Sequence, residues 1–538
     1  MKKLLQPTTI FITLLILVAA FLRLYRIADY LTFLGDEGRD VLVVYNILHG
    51  HFTLLGPTSS VGGFFLGPIY YYFMAPFLWA FNYNPVGPAI MIALFGTLTV
   101  WLVYKLGSTF FNKTTGLIAA TFYTIAPVVI AYSRSSWNPN LMPITTLLTL
   151  LTLYKAVTFS EKRKLHHHLS VFNFVNNSAF FFLLCGFLFG ILLQLHYLAV
   201  FVGAIMVVYL FAMQIFFSQE TSIKIRLWQL IKSYIYILGG FVIGFSPYIA
   251  FEARHGFPNT MSVLLFIFHS KEIHATNNFA STIYDVFFRL FGRLVTSFPP
   301  PSQVSLQAHP EVGLWYFLTL TLGILSTGYF FLKVYSSWKT NRENFPKLFL
   351  IFCWFVLGIL LFGLYNKQIY DYYFEFIFPI PFLLVGFFLS FLFSKNIFFK
   401  ILVSAIIFSI IIINLLGVPF RYEPNRQLNQ METISRVVNQ QTGGKPYNFA
   451  LITGGNSDHA YRYFLTIWGH SPTAIENPIV DPKRKSVTSQ LLVVCEAVPC
   501  HPLGAPLWEV AGFGRAEIDG KWHVSVVDVY RLVHYTGN

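Results

Sequence analysis

The sequence predicts an all-α polytopic membrane protein with about 11 transmembrane helices, surface helices in its first outer loop and a small C-terminal α/β domain. Three observations carry this prediction. Hydrophobic residues make up 55% of the 538-residue chain and charged residues only 11%, whereas soluble domains carry about 25% charged residues. Apolar runs long enough to cross a hydrocarbon core of about 30 Å recur through the first 418 residues. Beyond that point the apolar runs shrink to strand length and polar residues return.

The N-terminus, MKKLLQPTTIFITLLILVAAF, pairs a basic start with a long apolar run and lacks a small-x-small cleavage site. It therefore reads as a retained first span at 8–28 rather than a removed leader. Further spans are expected at 85–105, 115–133, 141–158, 178–194, 197–217, 233–251, 315–334, 348–365, 375–394 and 400–418. One more apolar stretch, 67–83, is bounded by prolines and runs almost directly into the span at 85–105.

Charge decides whether 67–83 crosses. With Met1 inside and 67–83 lying at the outer surface, most loop Lys and Arg residues fall in short inner segments, such as Lys155, Lys162, Arg163 and Lys164. Short outer segments then hold only Arg39, Arg134 and Lys367, apart from Arg23 and Arg26 at the end of the first span. Making 67–83 a true span would reverse this bias, so the eleven-span arrangement satisfies the positive-inside rule. The same rule accounts for the net charge of +14. Nucleic-acid binding is not expected, because no basic stretch is interleaved with a soluble fold.

Two regions follow: a membrane module, 1–418, and a soluble domain, 419–538. The module exposes a first outer loop, 29–84, and a long outer loop, 252–314, of a length that is usually functional or disordered. In the tail, 427–440 and DHAYRYFLTIWG have helical spacing, while YNFALIT, QLLVVCE and HVSVVDVYRLV have strand character. Cys495 and Cys500 are spaced for a disulfide if the tail lies on an oxidising side. Cys185 and Cys353 sit in apolar runs as packing residues. The three histidines of KLHHHL, Lys164–Leu169, read as a solvated inner loop.

The outer face gathers the chemistry. After Gly35, DEGRDVLVVYNILHG places Val41, Val44, Tyr45 and Leu48 on one stripe of a surface helix. Asp36 and Glu37 stand at its N-terminus, where the helix dipole favours negative charge. Capping this helix and pairing with Arg39 is the simpler role for both acids. Arg134 lies in AYSRSSWNPN, so near the hydrocarbon that it calls for a carboxylate or phosphate partner. Lys367 and Arg254 are further candidates for a phosphate. His196, Glu252, Tyr70, Tyr372 and Asn138 are candidate substrate contacts, although a turn role for His196 and an interfacial belt role for the tyrosines compete with this.

In order and spacing, GDEGRD, GPIYYYFMAP, YKLGSTFFNKTTGLIAATFYTIAPVVIAYSR and YYFEFIFPI resemble the GT-C class of glycosyltransferases that use lipid-linked sugars. Within it they resemble the protein O-mannosyltransferase and aminoarabinose-transferase-like family. The match is good over about the first 160 residues. The resemblance implies an inverting transferase with a polyprenyl-phosphate-linked sugar donor and an acceptor hydroxyl on a protein, glycan or lipid. It places the catalytic carboxylate at Asp36, with Glu37 beside it, the family's surface helix at 67–83, and its arginine after the third span at Arg134. Where relatives carry an Asp after that arginine, this chain has Asn138 and Asn140.

No Asp-x-Asp pair announces a metal-dependent sugar transferase, and neither cofactor nor metal is expected. The implied location is the plasma (cytoplasmic) membrane, with a cytoplasmic N-terminus and an extracytoplasmic C-terminal domain. A secondary transporter is the main rival and predicts two repeated halves with mid-membrane charge; no repeat is evident. A membrane-anchored binding scaffold would need no acid in the first loop.

Overall fold

The computed structural model describes residues 7–537 apart from 60, 163–177, 270–277, 301–302, 305–308, 366 and 498. The triple-histidine stretch lies outside these residues. Among the described residues, nine helices are long and apolar enough to cross a membrane, and a bent pair makes a tenth. The chain is a multi-pass membrane protein.

Where the spans break, proline explains the break. The expected span 115–133 consists of α6 (Lys113–Ile125) and α7 (Pro127–Tyr132), separated at Ala126, which is extended (φ −62°, ψ 117°). Pro127 has no amide hydrogen to donate and disfavours helical geometry in the residue before it. The expected span 375–394 is a 3₁₀ turn, Asp371–Ile377, followed at 60° by α17 (Pro379–Phe393). The expected span 233–251 covers the end of α11 (Ile223–Gly244) and the start of a separate helix at Ser246, parted at Phe245 two residues before Pro247. Other spans form single long helices, among them α1 (Pro7–Leu24), α5 (Val86–Phe110), α8 (Met142–Lys162) and α9 (Ser178–Leu195). Helices α9 and α11 pack backbone to backbone: a Cβ on Gly186 would stand 1.9 Å from the Ile237 carbonyl oxygen, and one on Gly240 equally close to that of Leu183. Small residues four apart permit such an approach in lipid, where apolar burial alone gives no drive to associate.

The first outer loop holds α3 (Gly35–Leu48) and α4 (Ile69–Ala80). At 12 residues α4 is about 18 Å long, too short to cross, which agrees with the charge reading of 67–83. The long outer segment 252–314 contains two helices rather than an irregular loop: α13 (Pro258–His269) and α14 (Phe279–Gly292). The apolar face of α14 was present in TIYDVFFRLFG but is shorter than a span.

The C-terminal domain carries a four-stranded sheet in the order β1-β2-β4-β3, formed by β1 (Asn448–Ile452), β2 (Gln490–Cys495), β3 (Ala516–Val524) and β4 (Val527–His534). β1 and β2 are parallel; the other pairs are antiparallel. The single strand expected over HVSVVDVYRLV is instead the tip and return arm of a hairpin. Its turn holds Ser525 at φ 56° without the usual glycine or asparagine, so the turn left no compositional mark. Cys495 and Cys500 form a disulfide, and Cys185 and Cys353 are buried free thiols.

This domain docks on the first outer loop. Phe33 packs against Tyr463 and Phe464 of α20 (His459–Ile467) with centroids 6.2 and 5.7 Å away. The Phe33 amide donates to Gln427 Oε1 (3.2 Å), and the Arg426 amide to the Asp29 carbonyl (3.0 Å). Gly38 is the point of closest approach: a Cβ there would lie 2.3 Å from the Ala460 nitrogen, on backbone that has no rotamer to move. Gly38→Ala is therefore expected to loosen the domain by about 1–3 kcal/mol, read as faster protease release of the tail at unchanged expression.

Candidate active site

Helix α3 builds the site from its first turn. Leu34 is extended and caps the helix; Glu37, three residues on, reaches back to accept from the Leu34 amide (3.2 Å). That leaves Asp36 turned outward, with its side chain 58% exposed and Oδ1 accepting from Arg39 Nη1 at 2.9 Å. Arg39 is itself clamped from behind: its Nε and Nη2 both donate to Asp40 Oδ1 (2.9 and 2.8 Å), and Tyr71 donates to the same oxygen (3.2 Å). Asp40 is fully buried, and its Oδ2 has no hydrogen-bond partner among the described residues.

Burial pushes the Glu37 carboxyl up to about 7, and it pushes Asp40 up to about 6 against the opposing pull of Arg39. A carboxyl raised on folding favours the native state below its unfolded value, and that advantage disappears as pH climbs through the folded one. For Glu37 the window runs from about 4.5 to about 7. Glu37→Gln is accordingly expected to flatten the fall in thermal midpoint across that window, by about 1–3 kcal/mol in all.

Two cavities meet at Asp36 and Trp137. The larger, about 680 Å³, lies between the start of α3, Tyr132, Ser135, Trp137 and Asn140, and the loop Gly455, Asn456 and Ser457 of the C-terminal domain. The smaller, about 310 Å³, is lined by Asp36, Arg39, Asn138, His196 and Tyr372 among others. A third cavity, about 410 Å³, adjoins both through Tyr132 and Tyr372 and contains Arg289 and Asp371.

Of the residues singled out from sequence, Asp36, Asn138, His196 and Tyr372 come together around the 310 Å³ cavity, and Glu37 lines the larger one. His196 is buried, and burial lowers its imidazole to about 3. Its Nδ1 accepts from the Leu198 amide (3.2 Å), so the neutral ring carries its proton on Nε2. The Trp137 and Tyr372 rings pack with centroids 4.4 Å apart and their planes tilted by 59°.

The others stand elsewhere. Arg134 lines none of the three cavities: its guanidinium donates to the carbonyls of Leu22 (2.9 Å) and Tyr25 (2.6 Å) and lies over the Tyr30 ring. Its role in these contacts is to tie the end of α1 to the segment after α7. Glu252 is buried and caps α13, accepting from the Asn259 and Thr260 amides and side chains. Arg254 is exposed on α12 (Ser246–His255), Lys367 lies over Phe266, and Tyr70 is buried against Ser136 (2.7 Å).

Sequence reasoning missed three groups. Asp40 was in the quoted GDEGRD, but only its burial beside Tyr71 distinguishes it from a surface acid. Arg289 on α14 and Arg293 just after it both grip Asp371, Arg293 through Nε to Oδ2 at 3.0 Å, across a separation in sequence that no motif spans. The loop Gly455–Ser457 reaches the site only through docking: Asn456 Oδ1 accepts from the Gly35 amide at 3.0 Å.

No family model and no curated protein matches this chain. Solved structures do. Cupriavidus metallidurans ArnT bound to undecaprenyl phosphate aligns over 97% of this chain and 97% of its own, with a TM-score of 0.58 at 11% identity. Archaeoglobus fulgidus oligosaccharyltransferase AglB, in complex with an inhibitory peptide and a dolichol-phosphate, aligns over 90% of this chain and 69% of its own, with a TM-score of 0.54 at 14% identity. At such identities the likeness speaks to architecture, and this chain has the GT-C fold that both transferases share.

Proposed function

We propose that this protein is an inverting membrane glycosyltransferase that moves a sugar from a polyprenyl-phosphate donor to an acceptor hydroxyl on the extracytoplasmic face. The observation that carries the reading is the place of Asp36: an exposed carboxylate where a cavity containing a clamped arginine meets one without a cation among its described lining residues. The neighbours' ligands, undecaprenyl phosphate and dolichol-phosphate, support a lipid-linked donor.

The chemistry needs three things: an in-line hydroxyl, a base for its proton, and positive charge for the departing phosphate. Asp36 takes the proton. Arg39, rather than Arg134, is the cation beside it; fixed by Asp40, it leaves little side-chain freedom to be lost when phosphate binds. His196 adds a neutral N–H donor, and Asn138 and Tyr372 complete the donor side. As the hydroxyl oxygen bonds the anomeric carbon, the bond from that carbon to the phosphate oxygen breaks, and its electron pair leaves with the phosphate. Attack from the face opposite the leaving group inverts the anomeric centre.

The positive-inside bias supports an N-terminus in the cytoplasm, a tail outside and a location at the cytoplasmic membrane. The Cys495–Cys500 disulfide supports an oxidising location for the tail. Purified full-length protein in nanodiscs, given a panel of polyprenyl-phosphate sugars, is expected to release free polyprenyl phosphate and form a glycosylated product. Uptake of a solute by the same protein in sealed proteoliposomes, without cleavage of any donor, would favour the transporter reading.

A further inference from the structure

We infer that the 680 Å³ cleft takes an acceptor saccharide without acidic groups, and that the C-terminal domain supplies the outer wall that holds it. This rests on the transferase reading above. The volume lies within the range of small-molecule sites, about 300–1,000 Å³. Its described lining has two carboxyls, Asp36 and Glu37, and no Lys, Arg or His. Arg39, the cation paired with Asp36, is also held by Asp40 and lines the other cavity. A phosphorylated or uronic-acid acceptor entering here would meet like charge with no compensation, which opposes binding.

What the lining does offer suits a neutral sugar. Trp137 and Tyr132 present aromatic surface to sugar C–H faces, while Ser135, Asn140, Asn456 and Ser457 supply the neutral donors and acceptors that hydroxyl groups match. Trp137 and Asp36 are common to both cavities, so a hydroxyl stacked there reaches the carboxylate beside the donor.

The wall is held in register with the catalytic helix. Asn456 Oδ1 accepts from the amides of Gly35 and Ser457, and its Nδ2 donates to Glu496 Oε1 at 2.9 Å. Glu496 also accepts from Tyr461 (2.7 Å) and, on Oε2, from Thr453 (2.7 Å). The loop is thus a fixed surface built by the domain's own carboxylate. Gly455 sits within it with nothing inside 4 Å of an added Cβ and no positive φ, so a side chain fits there.

The test uses the full chain in nanodiscs with the same donor panel, neutral oligosaccharides, the same sugars bearing a phosphate or uronic acid, and a Ser/Thr peptide. Neutral saccharides are expected to be glycosylated at least roughly tenfold faster than their acidic counterparts. Gly455→Lys, which adds a cation to the wall, should shrink that ratio by roughly tenfold. Equal or faster transfer to acidic acceptors, transfer to the peptide alone, donor cleavage with no saccharide product, or a ratio indifferent to Gly455→Lys each overturns the acceptor assignment and leaves the transferase standing. Failure to cleave any donor overturns the transferase reading, and this inference with it.

Discussion

Asp36→Asn is expected to abolish sugar transfer while leaving the protein folded and at normal membrane levels. The substitution keeps the shape of the side chain and removes its capacity to accept a proton. Arg39 stays in place, because its stronger hold is on Asp40 through Nε and Nη2. Asp36 is more than half exposed, so the fold does not depend on its charge. Loss of a positioned general base typically costs about 10²–10⁴-fold, and Asp36 stands at the junction of the two cavities. Mass spectrometry of lipid extracts from cells making either form is the direct check. A polyprenyl-phosphate sugar that accumulates only with Asp36→Asn names the donor; identical lipids in both cells would point to a transporter or scaffold.

Arg39→Ala is expected to do two separable things. It leaves Asp40 fully buried without its counter-ion, and stripping one partner from a buried pair costs about 3–5 kcal/mol. The Asp40 carboxyl already titrates near 6 with Arg39 present; without Arg39 it rises further. Its native-state penalty then grows as pH increases from the ordinary value of 3.8 and is fully developed only above the new folded value. Destabilisation is therefore smallest in acid and largest at neutral pH and above. The double variant Arg39→Ala/Asp40→Asn removes the buried charge and should recover most of the stability. It should not recover transfer, because the cation proposed to hold the phosphate is still missing. Thermal midpoints against pH together with donor turnover measure both effects. Recovered turnover in the double variant would reduce Arg39 to a structural residue.

Much of the fold was legible because a bilayer constrains sequence more tightly than water does. A span needs about 20 apolar residues, and loop charge tells its side. Those rules identified the spans and kept 67–83 from being counted as one. They do not register a one-residue break such as Ala126 within a continuous apolar run, nor a 14-residue amphipathic helix such as α14.

The candidate site was legible only in part. GDEGRD announced carboxylates at a helix N-terminus, and Asn138, His196 and Tyr372 converge on that helix in space. Arg134 carried the same signal as a phosphate ligand, an arginine near hydrocarbon, yet its Nη atoms are taken by the backbone carbonyls of Leu22 and Tyr25 at the end of the first helix. A sequence shows that such a charge requires partners; it does not show which ones.

The sequence by itself determined that this is a membrane protein with many spans, an acidic outer loop and a separate sheet-bearing tail, since hydropathy and short-range periodicity are local properties. Only the tertiary structure decided that Arg39 is clamped by Asp40, that Glu252 caps α13, and that Asn456 meets Gly35 across 421 positions of chain. Only the last of these joins distant segments, but in all three the partner that a buried polar group engages is chosen by proximity in space, which the packing sets.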